Sequence, residues 1–321
     1  MHKPIPAAKF HLIRPPNDNY TYFEDRTNHK FLPGATNFEL VNAAWTADFA
    51  MLAYGSESFI KQKLKDSGLT DDGFVMQFFS RETTQCFVVH NAEFVVLSMR
   101  GTEIDNFIGA FEDWVRNLDF IPEPDESGGL VHPGFIKDIA AVWNDANGVM
   151  GVKSYLRPLL ANRARTLWIT GHSLGASLAI LAAERAVRDG GFQVRGVYPF
   201  GVPRVGDMQF KQNYAARGLD AITYRFQNNV DVATKIPPGA VYTHVGQLKF
   251  IDDHGIVHTD AGGTTGGSLP QPTPAQRWAV RLHRLLGQAS ALAANLFGLT
   301  IPAPFADHSP IYYASYIWNN L

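Results

Sequence analysis

Cysteine is nearly absent, with Cys86 the single example in 321 residues. One thiol cannot close an intramolecular disulfide and cannot build a cysteine-rich metal site, so stability has to come from packing. An excess of one charge is missing too. The 28 basic and 30 acidic residues leave a formal net charge of −2, whereas nucleic-acid binding normally requires a strong basic footprint. No apolar run of about 18 residues occurs, which excludes a transmembrane helix of the usual length. The opening stretch Met1–Phe10 has no uninterrupted apolar h-region, so no secretory signal peptide is visible. The expectation is a protein that stays inside, leaves by another route, or is already in its mature form. What the chain has in quantity is hydrophobic residues, at 45%, enough for the large core of one elaborated domain over residues 1–321.

Residues 1–40 mix Pro, Asn, Asp and aromatics without a period and predict an irregular arm. Helical spacing follows over Asn42–Tyr54 and Phe59–Lys65. Phe74–Phe79, Gln85–His90 and Glu93–Met99 are short β-branched or aromatic runs that open a sheet, with a hairpin turn at Asn91-Ala92. A helical segment is predicted over Phe135–Leu160. Further strands are predicted at Thr166–Thr170, Gly196–Phe200, Ala221–Phe226 and Gly246–Ile251. Strands alternating with helices after an antiparallel start imply an α/β protein with a mostly parallel sheet covered by helices.

The strand Thr166–Thr170 runs straight into Gly171-His-Ser-Leu-Gly175 and then into the helix-forming Ala176–Val187. A serine hydroxyl is a poor nucleophile at neutral pH and needs a base and nearby oxyanion donors. A strand-to-helix elbow supplies the setting for both, because its glycines let the chain reverse and its helix N-terminus presents N–H groups. Ser173 is therefore the candidate nucleophile. The acid and base should follow it in the chain. Asp231, after the strand Ala221–Phe226 in Gln227-Asn-Asn-Val-Asp231, is the best acid, since open parallel sheets build sites at the carboxyl ends of their strands. The downstream histidines are His244, His254, His258, His283 and His308. His308 is preferred as base because it precedes an aromatic terminal segment in a position to swing over the elbow, while His244 reads as a strand-start packing residue. His172 and His132 read as packing residues. The cluster Asp252–Asp260 reads as a hairpin rather than a metal site, and this chemistry needs no metal or organic cofactor.

The series Met99-Arg-Gly-Thr102, Asp113-Trp114, Val131-His-Pro-Gly-Phe135, Gly171-His-Ser-Leu-Gly-Ala176, Phe200-Gly-Val-Pro-Arg-Val-Gly206, Asn229-Val-Asp231, Pro237-Pro238, His244-Val-Gly246 and a late His308 resembles the fungal-type, or class 3, lipase family. The resemblance spans roughly residues 40–260 plus the C-terminus. It implies an α/β-hydrolase fold with lid-like helical insertions, with Ser173 as nucleophile, Asp231 as the acid and His308 as the base. It further implies an oxyanion hole formed by the backbone N–H groups of Thr102 and Leu174, with the Thr102 hydroxyl as an additional donor.

Two segments are expected to shape the substrate. In 103–112, Ile104, Phe107, Ile108 and Phe111 recur at helical spacing, which makes this stretch a lid candidate. Residues 262–306 contain no Asp or Glu and read as a helical insertion, a second cover over the site. Within it Trp278, Leu282, Leu285, Leu292 and Leu296 form one apolar helix face, beside Arg277, Arg281 and Arg284. Such a face either packs over an acyl pocket or rests on a lipid interface. The expected function is serine carboxylic-ester hydrolysis, foremost of triacylglycerol. A phospholipase A1, a short-chain or feruloyl-type carboxylesterase, and a silent lipid-binding protein are the alternatives. The expected partner is an acyl ester or lipid, with peripheral contact to a lipid interface and no nucleic acid.

Overall fold

The structure is a computed structural model that describes residues 2–102, 121–162, 164–237, 239–259 and 301–321. The lid candidate 103–112, the apolar helix face at Trp278–Leu296 and most of the insertion 262–306 lie outside the described residues. None of the described helices is long and apolar enough to cross a membrane.

An eight-stranded sheet organises the chain. Its strands are β1 (Val75–Arg81), β2 (Thr84–His90), β3 (Phe94–Met99), β6 (Thr166–His172), β7 (Val194–Phe200), β8 (Tyr224–Asn228), β9 (Gln247–Ile251) and β10 (Val257–His258), neighbours in that order. The short pair β4 (Glu123–Pro124) and β5 (Leu130–Val131) forms a separate ribbon. β1, β2 and β3 pair antiparallel, the run from β3 to β9 is parallel, and β10 closes the edge antiparallel.

Side chains two apart on a strand share a face, and the sequence fills both faces with apolar residues. Phe94 and Val96 of β3 and Trp168 of β6 pack on one side with α2 (Leu40–Leu52) and the C-terminal helix α9 (Pro310–Asn319). Val95, Leu97, Leu167 and Ile169 pack on the other with α4 (Pro133–Trp143) and α6 (Leu174–Arg188). Strands buried on both faces are what a parallel α/β sheet requires, and the chain has the α/β-hydrolase fold. α3 (Glu57–Asp66) and α7 (Met208–Ala216) each begin at a side-chain cap, Ser56 accepting from the Phe59 N–H and Asp207 from the Phe210 N–H.

The helical stretch expected over Phe135–Leu160 is two helices. α4 stops at Trp143 and α5 spans Val152–Leu160, because Asn147 and Gly148 both take positive φ, 52° and 74°, in the turn between them. Asn-Gly is the residue pair that such a turn favours. The strand expected from Ala221 starts at Tyr224, after a 3-10 turn at Asp220–Ile222. His244 lies ahead of β9 and not on it.

The N-terminal arm is irregular apart from α1 (Phe10–Ile13) and is fastened to the C-terminus. Ile301 N–H donates to the Ala8 carbonyl (2.7 Å), Ser309 Oγ to the Ile13 carbonyl (2.5 Å) and Tyr312 Oη to the Pro6 carbonyl (3.0 Å).

Candidate active site

Ser173 sits between the last residue of β6 and the first residue of α6 with φ 60° and ψ −128°. A non-glycine residue with this backbone stores on the order of 1–3 kcal/mol of strain, held only because its surroundings determine it. Those surroundings are tight. A Cβ on Gly171 would lie 2.5 Å from the carbonyl carbon of Gly175, and one on Gly175 would lie 2.6 Å from the carbonyl carbon of Arg100. The two glycines are thus what allow β6, the elbow and the end of β3 to meet. Ser173 N–H donates to the Phe200 carbonyl on β7 (3.0 Å), which pins the elbow to the neighbouring strand.

The candidate acid and base arrive from two later segments. Asp231 follows β8, and His308 lies between α8 (Ala303–Ala306) and α9. His308 Nε2 is 2.8 Å from Ser173 Oγ, and His308 Nδ1 is 2.9 Å from Asp231 Oδ2. All three residues are buried. The other oxygen of Asp231 accepts from the Ala233 N–H (2.8 Å), and Tyr313 Oη on α9 donates to Oδ2 (2.6 Å). The same tyrosine oxygen accepts from the Asn228 N–H (2.9 Å), so α9 also holds the end of β8. Asn228 Nδ2 donates to the Asp307 carbonyl (2.9 Å) and Val232 N–H to the Pro304 carbonyl (3.0 Å), binding the loop of Asp231 to the turn of His308.

Leu174 is the first residue of α6, half-buried, and its N–H is one that the helix cannot use internally. Thr102, also half-buried, lies three residues past the end of β3, on the side of the elbow that Gly175 contacts. The structure therefore brings Ser173, His308 and Asp231 into one hydrogen-bonded chain, with Leu174 at the elbow and Thr102 on the adjoining segment.

The other histidines have different places. His244 donates through Nε2 to the Thr234 carbonyl (2.9 Å), and burial pushes its imidazole well below the usual range. His132 caps α4, its Nδ1 accepting from the Gly134 N–H (3.1 Å). His254 and His258 belong to the β9–β10 hairpin, where they pair with Asp253 and Asp252. Asp252, Asp253 and His254 bring ligand-type atoms within 4.8 Å of one another on that exposed turn. His283 lies outside the described residues. Tyr313, Asn228 and Asp307 around the candidate acid have no local signal in the sequence beyond the aromatic character of Ile311–Trp318.

Residues 96–241 match the family profile "Lipase (class 3)", a segment that holds Thr102, the elbow and Asp231. Over that segment, somewhat under half of its length, the chain is similar to the class 3 lipase family. It is 30% identical over 151 residues to a lipase of Rhizomucor miehei, an alignment covering 45% of this chain and 40% of that protein. It is also 30% identical over 186 residues to Phospholipase A1-II 6 of Oryza sativa subsp. japonica, covering 49% of this chain and 44% of that one. The chain spans less than half the length of these two relatives. Among solved structures, a mutant form of MDLA from Penicillium cyclopium superposes with a TM-score of 0.56 at 22% identity, covering 73% of this chain and 92% of the other. That likeness reflects the shared fold.

Proposed function

We propose that this chain is a class 3 lipase, a serine carboxylic-ester hydrolase whose foremost substrate is triacylglycerol. The observation that carries the reading is the unbroken path from Ser173 Oγ through the His308 imidazole to the Asp231 carboxylate. Ser173 Oγ attacks the ester carbonyl while its proton passes to His308 Nε2. Asp231, with one oxygen on Nδ1, holds the ring in orientation and stabilises the imidazolium. The carbonyl oxygen becomes an oxyanion beside the Thr102 and Leu174 N–H groups, and a donor of this kind is worth roughly 10²–10³ in rate. As the tetrahedral centre collapses, the alcohol leaves with the proton from Nε2 and the acyl group stays on Ser173. Water, losing a proton to His308, then attacks the acyl carbon, and the acid departs as Ser173 recovers its proton.

The 30% identity to a phospholipase A1 supports a second substrate class, a phospholipid acyl ester, at the same serine. Labelling with a p-nitrophenyl alkylphosphonate, followed by peptide mass mapping, tests the reaction. An adduct on Ser173 is expected, and folded protein that gives none would sink the hydrolase reading. Rates on triacylglycerols and phosphatidylcholine of increasing acyl length, below and above their solubility limits, then separate the substrates. A rate jump on triacylglycerol above its limit supports a lipase working at an interface. Cleavage restricted to phosphatidylcholine replaces that reading with the phospholipase.

A further inference from the structure

We propose that His172 and Tyr54 form a non-reacting brace that positions His308, His172 donating to the His308 backbone and Tyr54 fixing the tautomer that makes the donation obligatory. The inference rests on the acyl-transfer reading of Ser173 and His308 given above.

His172 precedes Ser173 and is the last residue of β6, so its side chain leaves the sheet on the opposite face, towards α2 and α9. It is completely buried. Its Nε2 lies 2.7 Å from the backbone carbonyl oxygen of His308. A carbonyl only accepts, so Nε2 carries the hydrogen. In a neutral ring Nδ1 is then a bare acceptor, and the group 2.7 Å away is the Tyr54 hydroxyl, which must donate. Both ring nitrogens are satisfied in one tautomer and in no other.

The pair touches all three segments on which the reaction depends. The His172 ring lies 4.6 Å, centroid to centroid, from the His308 ring and 5.8 Å from that of Tyr313. The Tyr54 hydroxyl takes up the space that a Cβ on Gly101, the residue before Thr102, would need, and that Cβ would also meet the His172 carbonyl at 2.7 Å. Thr102, the elbow and the His308 turn therefore share one buried pair of polar side chains, reached from the end of α2 by Tyr54.

Charge explains why the tautomer matters. His308 becomes an imidazolium during the reaction, and a second positive ring beside it would oppose that step. The groups facing His172 are His308, Tyr313 and Tyr54, with the Arg100 charge acting on the Tyr54 hydroxyl. No carboxylate reaches the His172 ring among the described residues, and Asp231 is spent on His308, Tyr313 and Ala233. Burial, and then the neighbouring His308, hold the His172 imidazole well below its ordinary range, so it stays neutral. A donated hydrogen bond from Tyr54 occupies the one nitrogen that could take a proton.

The test compares wild type with Tyr54→Phe, His172→Gln and His172→Leu, each checked for a native near-ultraviolet dichroism spectrum. Steady-state hydrolysis of p-nitrophenyl butyrate is followed from pH 5 to 9, with the rate of phosphonate labelling at Ser173. His172→Leu should lower kcat on the order of 100-fold with little change in KM, and His172→Gln, whose amide can still donate to the same carbonyl, should recover about tenfold of that loss. Tyr54→Phe should lower kcat about tenfold and move the acid limb of the pH profile upward, since a freed Nδ1 accepts a proton. If His172→Leu does not fold, Tyr54→Phe decides, because it removes only one oxygen. Folded Tyr54→Phe with the wild-type kcat and acid limb overturns the brace, as does a His172→Gln variant no better than His172→Leu. Wild-type protein that fails to label at Ser173 refutes the underlying hydrolase reading instead, whereas variants that label as fast as a reactive wild type refute the brace alone.

Discussion

Adding one methyl group at Gly175 tests whether the elbow works by close approach. Gly175 is the second residue of α6, and a Cβ there would lie 2.6 Å from the Arg100 carbonyl carbon and 2.8 Å from its oxygen, with the Met99 oxygen nearer still. All three are backbone atoms, so no side chain can swing aside. Non-bonded carbons relax at about 3.5 Å or more, and the helix must therefore retreat by roughly 1 Å from the segment that continues into Gly101 and Thr102. That motion separates Leu174 from Thr102 and turns Ser173 away from His308. A displacement of about 1 Å near the reacting atoms costs on the order of 10² in rate, or about 2.7 kcal/mol of transition-state stabilisation. Overpacking should also lower stability by about 1–3 kcal/mol. The assay is kcat/KM for p-nitrophenyl butyrate on Gly175→Ala, with melting followed by dichroism. Gly34→Ala serves as control, since a Cβ there meets nothing within 4 Å, and it should stay within about twofold of wild type, as ordinary surface changes do. A folded Gly175→Ala protein within threefold of wild-type kcat/KM would refute the reasoning.

Asp231→Asn should lower kcat by about 10⁴ while leaving the fold intact, because an amide opposite His308 Nδ1 does not hold the ring in the tautomer that accepts the serine proton. Stopped-flow release of p-nitrophenol measures it, and a loss of less than tenfold would move the acid role elsewhere. Tyr313→Phe removes a buried donor 2.6 Å from the Asp231 carboxylate. It should destabilise the fold by about 1.5–3 kcal/mol, the usual range for a hydrogen bond to a charged group, read as a lower urea midpoint at unchanged slope. His308→Ala should reduce turnover by several orders of magnitude, on the order of triad losses elsewhere, and near-normal turnover would transfer the base role to another histidine.

What the sequence made legible was what neighbouring residues determine together. β6, the elbow and α6 are contiguous, so the change from an apolar strand run to an Ala/Leu-rich helix around Gly171 and Gly175 marks Ser173 directly. Asp231 was legible because it follows a strand end. His308 is one of five downstream histidines that no local pattern ranks, and the helical spacing of Phe135–Leu160 hides a turn that Asn147-Gly148 carries. Tyr54 and Tyr313 were not legible at all, since their bonds to His172 and Asp231 join residues 118 and 82 positions apart, and no local pattern encodes such a meeting.

Asp307 is the sharpest instance, because its environment exists only after folding. Its carboxylate accepts from Asn229 Nδ2 (3.1 Å) and the Val230 N–H (3.4 Å), beside Asp231. Burial, opposed by those two bonds and reinforced by Asp231, raises its carboxyl to about 7, against about 3.9 for Asp in an unfolded chain. An acid with a raised folded value binds its proton more tightly when folded. Its stabilising contribution is therefore complete below about pH 4 and is lost as pH rises through about 7. Asn at this position still offers an oxygen to Val230 and does not ionise. The melting temperature of Asp307→Asn minus that of wild type should therefore climb from pH 4 to 7 and level off above that range. A flat difference would mean that Asp307 ionises as it does in the unfolded chain, and that the turn carrying His308 holds no buried acid against the loop of Asp231.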